Sequence, residues 1–462
     1  MANPTSRLQG DSALDPGSYV VADILLTANN GEEFDIKDMV DHFTITESLY
    51  MASIEAEFVM VDAVNLLETL KITGSEKIYL KVERKSLKTK DNDRFELNLY
   101  IAEVLNHSRG KPGVATYVFR CVSSHAYINQ TMTLDTAFKG TIGSVVKSIT
   151  KAIITNAGTD IDIHTNTKEN IKGIFPKLRP IAAIGWLMGN TFDEHNGPYY
   201  YYQTAGKGKV KGKRKPCIKF ASYTWLLDQE PYNTEDEAYI HAPFFENTIG
   251  DEDYYEEERK RIRKVSSEMN LSKYISASEG AFSSTLHTID IAEKKRTTEL
   301  FQYTDKMKKL NKYKPFVKQE ETIYNGRSIE QCTTGKNYYV SLNSMAFTSA
   351  LVNFHAPTTG SLLKAESYLA NEDIISHNID IAGDFNLSAG STINVKFLKT
   401  SSEAELGPDA SNMTDKLLSG RCLVTSITHT FKDSYIMSLQ IKNDSFNADL
   451  SEGLKVTQGA RI

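Results

Sequence analysis

Ile101-Ala102-Glu103-Val104-Leu105-Asn106-His107, a turn, and then Thr116-Tyr117-Val118-Phe119-Arg120-Cys121-Val122 spell an antiparallel hairpin. A counterpart stands near the other end of the chain: Leu423-Val424-Thr425-Ser426-Ile427-Thr428-His429, a turn, and Tyr435-Ile436-Met437-Ser438-Leu439-Gln440-Ile441. Upstream of each lies a second shared landmark, a Gly-Ser turn that opens a strand. These are Gly74-Ser75-Glu76-Lys77-Ile78-Tyr79-Leu80-Lys81-Val82 and Gly390-Ser391-Thr392-Ile393-Asn394-Val395-Lys396-Phe397. The copies are offset by 316 residues at the turn (390 − 74) and by 322 at the hairpin (423 − 101). Identity between them is weak, but order and type agree, and we read one β-module used twice.

A duplicated module gives each subunit two similar building faces. A ring of such subunits holds twice as many modules as chains, which suits an adaptor between structures of different symmetry. At 462 residues the chain has room for several domains and a large core. Its 23 Tyr and 20 Phe favour β-surfaces and interfaces. A net charge of −6 argues against a general nucleic-acid binder, which needs an excess of Lys and Arg to meet phosphates.

Outward from the hairpins, residues 18–123 read as short strands with regular turns. They include Tyr19 to Leu26, Ser53 to Met60 with alternate apolar residues, Glu76 to Val82, Phe95 to Leu105 and Ala115 to Ser123. Asp62 to Leu70 admits one short helix, and Lys85 to Arg94 is a charged loop. This texture predicts a small antiparallel barrel or sandwich. From 124 the pattern mixes. Thr141 to Asn156 carries Ile142, Val145, Val146, Ile149, Ala152 and Ile153 at helical spacing, and Pro180 starts a second helix that runs to Asn190. A Tyr199 to Tyr202 strand, a basic loop over 205–215 and a Cys217 to Leu227 strand follow, then an acidic, irregular stretch over 228–261. Residues 262–304 turn β-rich, 305–373 carry helical segments such as Leu342 to Phe354, and strands return over 374–443.

The expected fold class is therefore mainly β with an α+β part. We divide the chain into an arm at 1–17, a first barrel at 18–123 and a mixed α+β domain in two segments, 124–261 and 305–373. The second barrel is likewise split, into 262–304 and 374–443, and a tail or docking segment covers 444–462.

Catalytic chemistry is hard to place. Lys207 to Lys215 lacks the spacing of a phosphate-binding loop and reads as a hairpin tip, open to an acidic partner. Asp193-Glu194-His195-Asn196 is the nearest approach to an acid–base cluster, but general catalysis needs convergent side chains and a shifted pKa, and a polar loop is the better reading. His107 and His429 match across the two hairpins and read as structural. Cys121, Cys217, Cys332 and Cys422 have no metal-ligand or redox spacing, and Cys121 and Cys422 fall within strands as buried thiols. Trp186 and Trp225 read as core. Asp251 to Arg263 reads as a salt-laced helix with an electrostatic contact to a neighbouring subunit as the functional alternative. Met1 to Gly17 lacks the apolar core of a signal peptide, and no run approaches a membrane span. We expect no catalytic residue, no cofactor, no metal and no enzymatic activity.

Several stretches resemble the central baseplate hub proteins of T-even-type contractile-tailed phages. Phe43 to Tyr50, Ile54 to Val61 and Val64 to Glu68 look like that family's first barrel. Pro180 to Leu187 followed by Gly197 to Tyr202 looks like its middle domain, Ala281 to Asp290 like the opening of its second barrel, and Gly420 to His429 like its closing hairpin. The resemblance covers roughly 18–443. It implies a homotrimer whose six barrels make a pseudo-sixfold ring between a sixfold tail tube and a separate trimeric central spike protein. Tape-measure protein and DNA would pass through its channel without specific DNA binding. It also implies contacts with tube-initiator and other baseplate proteins, assembly in the host cytoplasm and a final place in the virion tail. The type VI secretion spike proteins join hub and spike in one chain. This sequence has neither their long β-helix repeats nor a lysozyme module, so it looks like the unfused version. The loop 205–215, the stretch 228–261 and both termini look like additions. A peripheral receptor- or carbohydrate-binding module that stacks glycans on the Tyr-rich strands is the alternative.

Overall fold

The computed structural model describes residues 16–84, 94–111, 113–154, 159–164, 167, 170–189, 191–210, 213–241, 254–269, 278, 283–291, 294–302, 336–342, 362–369, 375–399, 414–415 and 418–443. The first fifteen residues of the expected arm, the tail from 444, Cys332, most of 305–373 with all of its expected Leu342 to Phe354 helix but Leu342, which ends a strand, and 242–253 of the acidic stretch lie outside them.

Strands dominate. The first module contains β1 (Tyr19–Thr27), β2 (Glu33–Asp35), β3 (Val40–Ser48), β4 (Glu55–Asp62), β5 (Lys77–Arg84), β6 (Arg94–Lys111) and β7 (Val114–Ser123), with the single turn α1 (Leu66–Thr69). The mixed unit follows with α2 (Ser124–Thr131), β8 (Ala137–Thr141), α3 (Ile142–Ile153), β9 (Asp160–Ile163), β10 (Asn170–Ile174), α4 (Pro180–Met188), β11 (Tyr199–Val210), β12 (Lys213–Ser222) and α5 (Tyr223–Asp228). After β13 (Tyr239–His241) and α6 (Tyr254–Lys260) come β14 (Ile262–Met269), β15 (Ser283–Asp290), β16 (Lys295–Gln302) and β17 (Lys336–Leu342). The chain closes with β18 (Ile375–Ala382), β19 (Thr392–Phe397), β20 (Gly420–Phe431) and β21 (Tyr435–Asn443). The protein is mainly β, with large antiparallel sheets and some helices.

The duplication is visible in the pairing. The first module runs β3-β4-β7-β6-β5, and the second repeats it as β14-β18-β21-β20-β19. Irregularities coincide as well. β3 bulges against β4 between Val40 and His42, and β14 bulges against β18 between Ile262 and Lys264. β6 bulges against β7 between Ile101 and Glu103, and β20 against β21 between Val424 and Ser426. Bulges are specific, costly insertions, so two matched ones mark a common plan. They also correct the offsets read from sequence. Ile101 matches Val424, an offset of 323 (424 − 101), and Lys77 matches Thr392, an offset of 315 (392 − 77), each one residue away from the sequence alignment. A second irregularity in β6 between Leu105 and Ser108, with Asn106 at φ 54°, restores 322 beyond it and keeps His107 opposite the same position as His429.

Why these residues make these strands follows from the period of two. β4 buries Ala56, Phe58 and Met60, and β5 buries Ile78, Leu80 and Val82, while their neighbours face outward. At the Gly74 turn, φ is +94°, and the Glu76 carboxylate accepts from the backbone N–H of Thr73, Gly74 and Ser75 at 2.8, 2.9 and 3.0 Å. Pro16 and Gly17 are buried, and the Gly17 carbonyl accepts from Tyr435 N–H at 2.8 Å, so the chain is fastened from there on.

The mixed unit has its own core. α3 turns Val145, Val146, Ile149 and Ile153 inward, and α4, begun by Pro180, adds Ala183, Ile184 and Leu187 against Tyr199, Tyr201, Ile218 and Phe220. Two local expectations change. The Cys217 strand ends at Ser222, whose hydroxyl caps Trp225 N–H, and α5 takes the residues read as strand. The basic loop is largely strand: β11 and β12 stay paired out to Val210 opposite Lys213. Residues 283–302, expected with the second barrel, pair as β16-β15-β17 in a separate three-stranded sheet whose core residues Leu286 and Phe301 pack with Tyr202, Tyr223 and Leu226 of the mixed unit. Their Ser/Thr-rich alternation marks a strand but not its sheet.

Candidate functional site

The residues with the most catalytic look serve the backbone. Asp193 Oδ1 accepts from the N–H of His195 at 2.8 Å and of Gly197 at 2.7 Å, and its other oxygen accepts from Thr224 Oγ1. Asp193 thus closes a turn, while Glu194 and His195 point to solvent. Among the described residues no group of His, Cys, Asp and Glu is placed to hold a metal ion. Cys121, Cys217 and Cys422 are buried free thiols, and burial pushes Cys217 up to about 12, far from a reactive thiolate. Trp186 packs beside Phe138 and Phe175, and His164 lies on Trp225 with ring centres 3.9 Å apart. The acidic run is laced by Glu256–Arg259, Glu258–Arg261 and Glu258–Arg263 pairs.

What the fold builds with most care is the seam between the modules. β3 of the first pairs antiparallel with β20 of the second over six positions, from Ser48 opposite Ser426 to Phe43 opposite Phe431. The two sheets become one of 13 strands. On the inner face Phe43 stacks on Phe431 at 4.7 Å and on Phe58 at 5.5 Å, and Phe431 stacks on Tyr435 at 4.3 Å. A single apolar core runs through both modules. On the outer face small hydroxyls meet, Thr46 with Thr428 and Thr44 opposite Thr430. Each such cross-strand pair is worth about 0.2–1 kcal/mol, so the seam gains from continuity more than from one contact.

One carboxylate bolts the seam to its surroundings. Glu47, the residue of β3 opposite Ile427, is 1 % exposed. Its Oε2 accepts from Ala205 N–H of β11 at 2.6 Å, and its Oε1 from Ala389 N–H, just before β19, at 2.7 Å. Gln203, two residues before Ala205 in β11, acts alike, with Oε1 accepting from Ile54 N–H at 3.0 Å and Ser123 Oγ at 2.6 Å. Three parts of the chain therefore meet on two buried side chains. Nothing in the sequence singled them out, because their donors lie far along the chain.

Two histidines are sealed in the second module. His429 is fully buried between Phe95 and Tyr435, its Nδ1 2.8 Å from the Tyr435 hydroxyl, and burial pushes its pKa down to about 3. His377 lies 2.7 Å from Ser267 Oγ, and burial pushes it down to about 4 against the opposing pull of the Leu418 backbone and Asp415. Both are structural, in contrast to exposed His107, which only stacks on Tyr117.

No protein-family model matches the chain, and no curated protein matches it. Solved structures do resemble it. A tail protein from Neisseria meningitidis MC58 is 10% identical over 92% of this chain and 97% of its own, at a TM-score of 0.49. The 43 kDa tail protein of prophage MuSo2 from Shewanella oneidensis is 11% identical over 91% and 98%, at 0.47. The E. coli type VI secretion component c3393, described as structurally similar to the T4 tail proteins gp27 and gp5, is 9% identical over 93% and 78%, at 0.42.

Proposed function

We propose that the chain is a structural subunit of a phage-tail baseplate hub, three copies of which form a ring of six similar β-modules. The observation that carries this is the repeated strand order with its two matched bulges, joined within the chain by β3 and β20. A module that docks head-to-tail on its own copy inside one chain has the geometry for building a ring by the same step. The sequence resemblance to hub proteins supplies the setting. In this reading the modules are barrels, and the ring adapts a trimeric central spike to a sixfold tube. Tube and other baseplate proteins flank it, and tape measure and DNA pass through its channel. The protein assembles in the host cytoplasm, ends in the virion and does no catalysis.

Against the glycan-stacking alternative, the Tyr199 to Tyr202 strand offers no open stacking face, with exposures of 4, 7, 5 and 0 %. End-on electron imaging of the purified protein tests the proposal. The expected view is a threefold particle with six similar lobes around a hole. A twofold dimer, or a particle with two lobes, would overturn it.

A further inference from the structure

The repeat leaves two edges unused, and they are the complements of the seam. At the seam β20 has β19 on one side only as far as Val424, whose N–H donates to the Ser391 carbonyl, and beyond that β3 takes the same side. β6 is built alike. β5 covers it up to Tyr100, and Ile101 N–H donates to the Glu76 carbonyl. Beyond that, among the described residues, nothing pairs with the same side of β6 from Ala102 to Lys111. The strand equivalent to β3 is β14, and among the described residues Ile262–Met269 pairs with β18 alone. The second module thus has a docking strand to offer, and the first an open edge to receive it.

Exposure supports the match. Val104 corresponds to Ile427; Ile427 is 0 % exposed beneath the seam, while Val104 is 37 % exposed. Ala102 to Val104 and Asn106 to Gly110 are exposed, whereas alternate residues of β20 beyond Val424 are buried. Ser266, Ser267 and Glu268, which correspond to Thr44, Ile45 and Thr46, are exposed as well. A long uncovered edge with apolar residues is what soluble proteins avoid unless something adds a strand there.

We propose that β14 of one subunit adds antiparallel to β6 of the next, in the register of the β3–β20 seam. Transferring that register places Val104 opposite Met269 and Leu105 opposite Glu268. Asn106 is an extra residue on the β6 side, and beyond it His107 faces Ser267 and Ser108 faces Ser266. Val104 and Met269 are then directly opposed, at the register position that Ile427 and Glu47 hold in the seam. The partner is a second copy of this chain because the seam already shows this docking between two copies of the module. The contact is heterologous, so each subunit uses both edges, and three such contacts complete the ring of the reading above. This inference rests on the ring reading above.

Disulfide trapping tests it on the full chain. Opposed antiparallel residues have Cα atoms about 4.5–5.5 Å apart, within disulfide reach. In a Cys332→Ser background, with the other three cysteines buried, Val104→Cys and Met269→Cys variants are mixed and oxidised. The expected result is a covalent dimer from the mixture, none from either variant alone, and a covalent closed trimer from the doubly substituted chain. Glu268→Cys in place of Met269→Cys puts the thiol on the opposite face and abolishes the product. A particle of trimer mass without the 104–269 link overturns the edge assignment and leaves the ring standing. A chain that stays monomeric in every condition overturns both.

Discussion

Glu47 shows how much one side chain can hold. Its carboxylate accepts from two buried N–H groups, Ala205 and Ala389, from separate parts of the chain. Glu47→Ala strands both donors away from water, at about 1–3 kcal/mol each, so denaturant unfolding of this variant should show a loss of about 2–5 kcal/mol. Glu47→Gln keeps one acceptor oxygen and should lose less. Equal stability for Ala and wild type would remove Glu47 from the account. The buried histidines predict a pH dependence. Both folded pKa values, about 4 for His377 and about 3 for His429, lie below the ordinary 6.5, so the unfolded chain binds protons that the folded chain refuses. Stability contributed by the neutral rings is full above about pH 6.5 and falls as pH drops toward the folded values, by up to about 1.4 kcal/mol per pH unit for each histidine. Denaturant midpoints measured between about pH 7 and about pH 5 should fall, and His377→Asn should make the slope shallower. None of this was legible in the sequence. Glu47 looks like any strand glutamate, and the sequence reads His107 and His429 alike as structural, whereas the fold buries His429 and leaves His107 exposed.

At the scale of elements, the sequence showed strands and amphipathic helices well, because periods of two and 3.6 are written locally. The helix begun by Ile142 and the strands around Phe58 and Leu80 needed nothing distant. Partners were less legible. Residues 283–302 alternate as a strand should, but their sheet is decided by Lys336–Leu342, which pairs with them in parallel. The stretch after α5 carries no apolar period, yet it lies along β19. Asn233 and Asn394 exchange backbone and side-chain hydrogen bonds, with Asn394 N–H donating to Asn233 Oδ1 at 2.7 Å and Asn233 Nδ2 to the Asn394 carbonyl at 3.0 Å. β13 then pairs in parallel with β19, on the flank where β1 meets β5 in the first module. Asn233→Ala should loosen this strap without unfolding the protein. Hydrogen exchange should quicken at Tyr232, Asn394 and β13 and stay unchanged in β4 and β7. Uniform acceleration would mean that the strap is part of the global core instead.

At the scale of the molecule, the two hairpins were enough to reveal the repeat, and the bulges show why the sequence alignment slipped. Ala102 and Thr425 are extra residues at the same structural point, while Asn106 has no counterpart, so a single offset cannot hold along the strand. The seam itself was not legible, since the pairing of β3 with β20 joins residues almost 400 positions apart. It is also what gives the repeat a consequence, by turning two modules into one step of a ring. The direct test is the solution mass, by light scattering at two concentrations. The account predicts a species of three times 51.7 kDa whose share grows with concentration and which carries no dimer plateau. A stable dimer, or a monomer at both concentrations, would contradict it.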